Sequence, residues 1–353
     1  MRVLYLTNIE VPYRVRFFNE LAKHCELTVL YERGRSANRD SAWAGSEKRA
    51  FKAEFLRGIS VGNENAFSLG IFKWIFGGYD AIVAGCFNSP VQLLAMLTMR
   101  LFRRPFFINS DGEAFLSGSG MKAKLKRFLL SGAKGYFAAG EQSARTMSQA
   151  LKREVTPYYF SSLSDEEVEA NAQRACKREN VLLVVGQYFD YKGMDVALAA
   201  ARKDPSIRYR FVGMGKRTQQ FLQEQLPQPL PNVEVIPFLQ KQELERAYQT
   251  CAAVVLPSRQ ECWGLVINEA ASFGTPIVST WGSGAAVEFL GDKYPQFLAQ
   301  PGDPEDLYAK IRTFRAMDGE ERTAYSRYLL EKSKSYSIEK GVAAHMAGFQ
   351  TQK

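Results

Sequence analysis

Histidine is nearly absent: His24 and His345 are the only two in 353 residues. That scarcity all but rules out a histidine-rich metal site or a Ser-His-Asp triad. Five cysteines (Cys25, Cys86, Cys176, Cys251 and Cys262) are scattered, odd in number and without a Cys-x-x-Cys pair, which argues against metal and disulfide frameworks. No Asp-x-Asp metal motif occurs. No apolar run approaches the roughly 20 residues that span a bilayer. The opening segment 1–7 turns polar too soon for a signal peptide and reads as a first strand, so a cytoplasmic protein is expected. The chemistry left open uses carboxylates, lysines, arginines and backbone amides.

What is present is ordinary in amount: 46% hydrophobic and 24% charged residues, as in a globular protein. The length favours two domains, since single cores seldom grow past about 250–300 residues. The formal charge of +9 fits a nucleic acid, an anionic membrane surface or a polyphosphate substrate as partner, or simply a basic surface. No basic strip interleaved with aromatics is found, which speaks against nucleic acid.

Along the chain, strands are expected in 3–7, 27–31, 80–84, 105–109 and 135–139, with helices in 15–24 and 91–102 and an irregular loop over 33–50. The rhythm weakens between 160 and 179, where a linker is placed, although Ser164 followed by Glu167 also reads as a helix start. Strands then alternate with helices again from 180 to 280, and helices follow in 303–317 and 320–335. This βαβ pattern predicts parallel sheets covered by helices and two α/β domains in series, 1–165 and 166–335, with 336–353 packing back on the N-terminal domain. Ligands of such sheets bind beyond the carboxyl ends of the strands.

Three strand ends in the second domain carry candidate chemistry. The first runs Gly186-Gln187-Tyr188-Phe189-Asp190-Tyr191-Lys192-Gly193, whose glycines let the backbone approach a ligand and whose Lys192 offers an ammonium to phosphate. A glycine turn with a solvated lysine reads the same way. The second, Gly213-Met214-Gly215-Lys216, is a lone Gly-x-Gly and weak. The third runs from Pro257 to Pro276: loop, Gly264, a helix over 265–273, then Gly274 as its cap. That helix start offers free amides and partial positive charge to a phosphate. Glu269 lies just over one turn in, and helical side chains tilt back towards the start, within reach of a ribose. Glu261, ahead of the helix, can accept hydrogen bonds from sugar hydroxyls. Two glutamates eight apart are common on any helix; the constellation as a whole suits a sugar nucleotide.

Taken together, Val184-Val185-Gly186, Lys192-Gly193-Met194-Asp195, Phe211-Val212-Gly213-Met214-Gly215, and the run from Leu256 through Glu261-Cys262-Trp263-Gly264-Leu265, Asn268-Glu269-Ala270 and Gly274-Thr275-Pro276 to Thr280 resemble glycosyltransferase family four. The resemblance covers the second domain and continues more weakly through Asn8-Ile9, Pro12-Tyr13-Arg14 and Phe17-Phe18-Asn19-Glu20-Leu21, which look like the opening of polysaccharide-assembly members. It implies a GT-B fold, α/β, with two Rossmann-like domains facing each other across a cleft. The activity it implies is a retaining, metal-independent hexosyltransferase acting in bacterial surface polysaccharide assembly. The sugar would pass from a nucleotide-diphosphate sugar, a UDP-sugar above all, to a glycan or lipid-linked acceptor. No cofactor is implied, since the nucleotide sugar is a co-substrate.

Carried over residue by residue, Glu261 would hold the donor sugar, Glu269 the ribose and Lys192 the diphosphate. The backbone at Gly186, Gly213, Trp263, Gly264 and Leu265 would line the donor. Gln187 stands where the family has arginine, leaving a neutral donor in place of a charge, with Arg259, Lys216 or Arg14 as replacements. Phe238 and Gln240 fall near the nucleotide base, Gln240 where many members have glycine. In the first domain Asp111 is the nearest candidate to the family's histidine beside the reacting carbon; a capped turn with solvated carboxylates is the alternative. Tyr13, Arg14 and Glu113 are expected at the acceptor. Residues 121–134 form a basic amphipathic stretch with Met121, Leu125, Phe128 and Leu129 on one face. It suits either peripheral contact with an anionic membrane at the inner face of the plasma membrane or core packing with a solvated basic side. A nucleotide-sugar-binding protein with a decayed site, or a nucleotide-sugar epimerase, are the competing readings.

Overall fold

The apolar runs become parallel strands in a computed structural model, which describes all residues except 35–47, 63–64, 86–87, 113–119, 175, 214–215, 227 and 352–353. Two units emerge, Met1–Ser162 with Ile338–Lys353, and Leu163–Ser337. Each is a Rossmann-like α/β unit built on one parallel sheet.

In chain order the first unit has β1 (Arg2–Ile9), α1 (Pro12–Leu21), β2 (Glu26–Arg33), β3 (Lys52–Phe55), β4 (Ile59–Val61) and β5 (Asn65–Phe67). It continues with α2 (Ile71–Ile75), β6 (Ala81–Ala84), α3 (Pro90–Leu101), β7 (Phe106–Ser110), α4 (Met121–Leu130), β8 (Gly135–Ala139), α5 (Gly140–Leu151) and β9 (Thr156–Tyr158). Its sheet runs β3-β2-β1-β6-β7-β8-β9, with β4 and β5 a separate antiparallel hairpin that the sequence reading did not anticipate.

The second unit has α6 (Asp165–Ala172), β10 (Val181–Val185), α7 (Met194–Lys203), β11 (Arg208–Val212), α8 (Lys216–Gln225), β12 (Val233–Ile236) and α9 (Lys241–Thr250). There follow β13 (Ala253–Val255), α10 (Leu265–Ser272), β14 (Ile277–Thr280), α11 (Gly284–Leu290), β15 (Leu298–Ala299), α12 (Pro304–Ala316) and α13 (Gly319–Ser333). Its sheet runs β12-β11-β10-β13-β14-β15. Every residue of β10, β13 and β14 is buried, which is why these strands read as continuous apolar runs rather than alternating ones.

Residues 160–179, expected to form a linker, instead hold α6. Ser164 accepts from the Glu167 amide while the Glu167 carboxylate accepts from the Ser164 amide. The helix belongs to the second unit, where the Asn171 amide donates to Ser272 Oγ at 3.0 Å. The last helix, α14 (Ile338–Thr351), joins the first unit. His345 stacks on Phe137 with centroids 4.3 Å apart, and Phe349 meets Phe107 edge to face at 5.0 Å. A side chain at Gly348 would fall 2.4 Å from the Phe137 ring, so glycine sets how closely α14 approaches β8.

Candidate active site

In the second sheet the strand order reverses between β10 and β13, the point where open α/β sheets open a crevice at their carboxyl ends. Two loops leave there side by side. The loop after β10 passes through a 3₁₀ turn, Asp190–Lys192, and Gly193 at φ 67°. The loop after β13 is clamped to it: the Arg259 and Gln260 amides both donate to the Tyr191 carbonyl, at 2.8 and 3.2 Å. A Cβ at Gly193 would sit 2.0 Å from the Pro257 carbonyl oxygen, so only glycine lets the loops close up. The clamp brings Lys192 Nζ onto Glu261 Oε2 in a half-buried ion pair. Backbone bonds fix Glu261 from the other side, its amide donating to Gly282 at 2.8 Å and its carbonyl accepting from Gly284 at 3.2 Å.

Gly264, at φ 103°, turns the chain into α10. The half-buried Glu269 accepts from the Tyr248 hydroxyl at 2.8 Å. Tyr248 is fully buried; burial, and then the Glu269 charge, push its phenol well above the usual value, so it stays a donor. Nothing in local sequence pairs Tyr248 with Glu269, because α9 and α10 meet only in the fold. Trp263, expected at the donor, turns its side chain inward: it is 2% exposed and its indole N–H donates to Asn268 Oδ1 at 2.7 Å. Its backbone carbonyl accepts from the Ser283 hydroxyl at 3.0 Å and from the Ala285 amide at 2.9 Å.

Gly186 and Gly213, both at positive φ, lie against each other at the ends of β10 and β11, with Gln187 half-buried beside them. Phe238 is exposed beyond β12, and the Gln240 amide donates to Glu243 at the start of α9. Leu265 opens α10 half-buried.

Two of the three cations proposed to replace the missing arginine are otherwise engaged. Arg259 forms a bidentate pair with Asp195 at 2.7 and 2.6 Å and also donates to the Asp190 carbonyl. Burial pushes the Asp195 carboxyl up, but the Arg259 hydrogen bond and charge outweigh it and hold it below the usual range. Arg14 is committed in the first unit, as described next. The Lys216 side chain lies outside the described residues, as do Met214 and Gly215.

A cavity of about 710 Å³ opens elsewhere in the second unit, bordered by Asn180, Ala252 and Pro276 at the amino ends of β10, β13 and β14. Its arginines are occupied: Arg178 donates to four carbonyls and to Thr275 Oγ1, and Arg322 to two carbonyls. Strand polarity and these bonds both mark it as structural.

In the first unit, Asp111 follows β7 and Arg14 lies in the first turn of α1, which begins just beyond β1. The Arg14 guanidinium donates to Asp111 Oδ1, and so do the Tyr158 hydroxyl at 2.6 Å and the Asn109 amide at 3.0 Å. Arg14, expected at the acceptor, is only 5% exposed and its guanidinium is held against Asp111 rather than standing free in solvent. Asp111 remains partly exposed, a positioned carboxylate rather than a capped turn in solvent. Tyr13, half-buried, packs its ring edge to face with Phe160 at 5.8 Å. Glu113 lies outside the described residues.

Behind Asn109 sits His345, wholly buried, with Nε2 2.8 Å from Asn109 Oδ1 and Nδ1 2.8 Å from the Gly341 carbonyl. Burial is the chief cause that lowers its pKa to about 4, with nearby Arg14 also lowering it and Asp111 opposing. A neutral ring carries one proton and donates to one of the two carbonyls. The folded value lies below the unfolded 6.5, so His345 contributes stability above pH 6.5 that is lost as pH falls towards 4. Denaturant titrations should show His345→Gln losing less stability than the native chain over that window, by about 3 kcal/mol. Equal losses would mean that the folded ring takes up its proton at the same pH as the unfolded one.

Residues 165–331 match the family described as "Glycosyl transferases group 1". Among curated proteins, the chain is 27% identical over 205 residues to sulfoquinovosyl transferase SQD2 of Arabidopsis thaliana, covering 58% of this chain and 39% of that one. It is 28% identical over 170 residues to O-antigen chain mannosyltransferase C of Escherichia coli, covering 45% of each. The chain thus spans less than half the length of these curated relatives. Among solved structures, Anabaena HepE in complex with UDP superposes with a TM-score of 0.72 at 17% identity, over 98% of this chain and 100% of that one, a likeness of fold.

Proposed function

We propose that the protein is a glycosyltransferase that moves a sugar from a nucleotide-diphosphate donor, a UDP-sugar for preference, to a glycan or lipid-linked acceptor. The observation that carries this reading is the Lys192–Glu261 pair at the reversal point of the second sheet, beside the start of α10. Without substrate the two charges neutralise each other. A donor entering between them offers each a better partner: diphosphate to Lys192, sugar hydroxyls to Glu261. The amides at the start of α10 would meet the same phosphates, and Glu269, oriented by Tyr248, the ribose. The group 1 match over this unit and the UDP held by HepE support that assignment.

As negative charge grows on the leaving diphosphate, Lys192 and the helix start stabilise it with no metal required. We take the reaction to be retaining, with same-face attack and the leaving phosphate oxygen accepting the acceptor's proton; Glu261 then positions the sugar. Asp111, held by Arg14, Tyr158 and Asn109, is the group proposed to orient the acceptor hydroxyl. Work at the inner face of the plasma membrane, in bacterial surface polysaccharide assembly, fits a lipid-linked acceptor. No helix among the described residues is long and apolar enough to cross a membrane.

The test is a panel of UDP-, GDP- and ADP-sugars, read by thermal shift and by release of nucleoside diphosphate. A productive donor raises the unfolding temperature and releases diphosphate with acceptor present and EDTA added. Glu261→Ala should cut that release about 100-fold or more with an unchanged circular dichroism spectrum. Wild-type turnover in the variant refutes the role of Glu261; donor binding without turnover in the native protein means a decayed site.

A further inference from the structure

Three helices of the first unit turn apolar side chains outward at helical spacing. On α4, Leu129 and Leu130 enter the core, while Met121, Leu125 and Phe128 stand 86%, 57% and 50% exposed. The core-packed reading of that stripe is therefore set aside: only Leu129 of its four members faces inward. Helix α3 repeats the pattern, with Val91, Ala95 and Met99 buried, and Leu97, Leu101 and the following Phe102 exposed. Helix α2 adds Phe72 and Phe76. The surface is continuous, since Phe76 meets Phe102 edge to face at 5.2 Å and the Arg100 guanidinium lies 4.0 Å over the Phe128 ring.

An apolar face of this extent needs an occupant, and charge identifies it. Residues 70–79, 90–110 and 120–140 contain no Asp or Glu, yet carry Lys73, Arg100, Arg103, Arg104 and five further cations between 122 and 134. A two-fold contact with a second copy would set these cations against their own images. We propose that the α2–α3–α4 face docks on an anionic phospholipid surface. Its leucine and phenylalanine side chains enter the boundary of the acyl chains, and its lysines and arginines stay at headgroup level. The contact is three helices wide rather than the single segment 121–134, and it stands whether or not the transferase reading does.

The experiment is cosedimentation of the full chain with phosphatidylcholine vesicles, with and without phosphatidylglycerol. Binding is expected only with the anionic lipid and should weaken as salt rises. The exposed pair Leu101→Ser/Leu125→Ser should reduce partition more than tenfold. Lys73→Gln and Lys124→Gln should each reduce it about fivefold. Thermal unfolding should be unchanged in every variant, because these side chains already face water. The proposal is overturned by equal binding to neutral vesicles, by undiminished binding of the leucine variant, or by binding to neither lipid. It is equally overturned by a solution dimer that the leucine variant dissociates while no vesicle is bound.

Discussion

Lys192→Ala should lower transfer by about 100- to 1,000-fold, the usual loss when one preorganised donor to a developing charge is removed. The loss should fall mainly on kcat, because in the proposed reaction the charge that Lys192 meets grows as the sugar–phosphate bond breaks. Donor affinity should weaken less, since the start of α10 is proposed to meet the same diphosphate. Lys192→Arg should recover only part of the rate: a planar fork does not fit a space shaped around one ammonium held against Glu261. The Lys192→Ala/Glu261→Ala double variant tests the coupling. Two groups acting on one bound donor should cost far less together than the product of their separate losses. Independent, multiplying losses, or a rate within threefold of native for Lys192→Ala, would remove the pair from the centre of the reaction.

Arg14→Met should destabilise the first unit by about 3–5 kcal/mol, the range for breaking a buried ion pair by deleting one partner. Asp111 would keep Tyr158 and Asn109 as donors but lose its only ionic partner among the described residues. In calorimetry this reads as a fall of about 10 °C in the transition of that unit, with the second unit unmoved. Donor binding should survive, because every proposed donor contact lies in the other unit. Arg14→Met/Asp111→Asn should regain part of the stability, since no lone charge remains, while still losing acceptor turnover. A stable Arg14→Met protein that has lost donor binding would show that the roles of the two units are misassigned.

The parts legible in the sequence are those that local physics writes down. Val181–Val185 announces a doubly buried strand, Ser164 and Glu167 announce a helix start, and the Gly264–Glu269 spacing announces a helix presenting an acid one turn in. What escaped is fixed by long-range pairing. Arg14 and Asp111 are 97 positions apart, Asn109 and His345 are 236 apart, and Arg259 reaches Asp195 across 64. In each pair the partners lie on different elements, which local sequence does not connect. Helix α4 failed differently: periodicity finds an apolar stripe but not the side it faces, and this helix is apolar both inward and outward.

The return of α14 to the first unit has a consequence for how the chain is made. His345, Val342 and Phe349 complete packing begun by residues translated some two hundred positions earlier. The portion emerging first from the ribosome must therefore wait, its Phe137 and Tyr158 rings uncovered, while the intervening α/β unit is synthesised and can fold. A stop codon placed shortly before Ile338 would thus strip the last helix from the distant unit rather than from the near one.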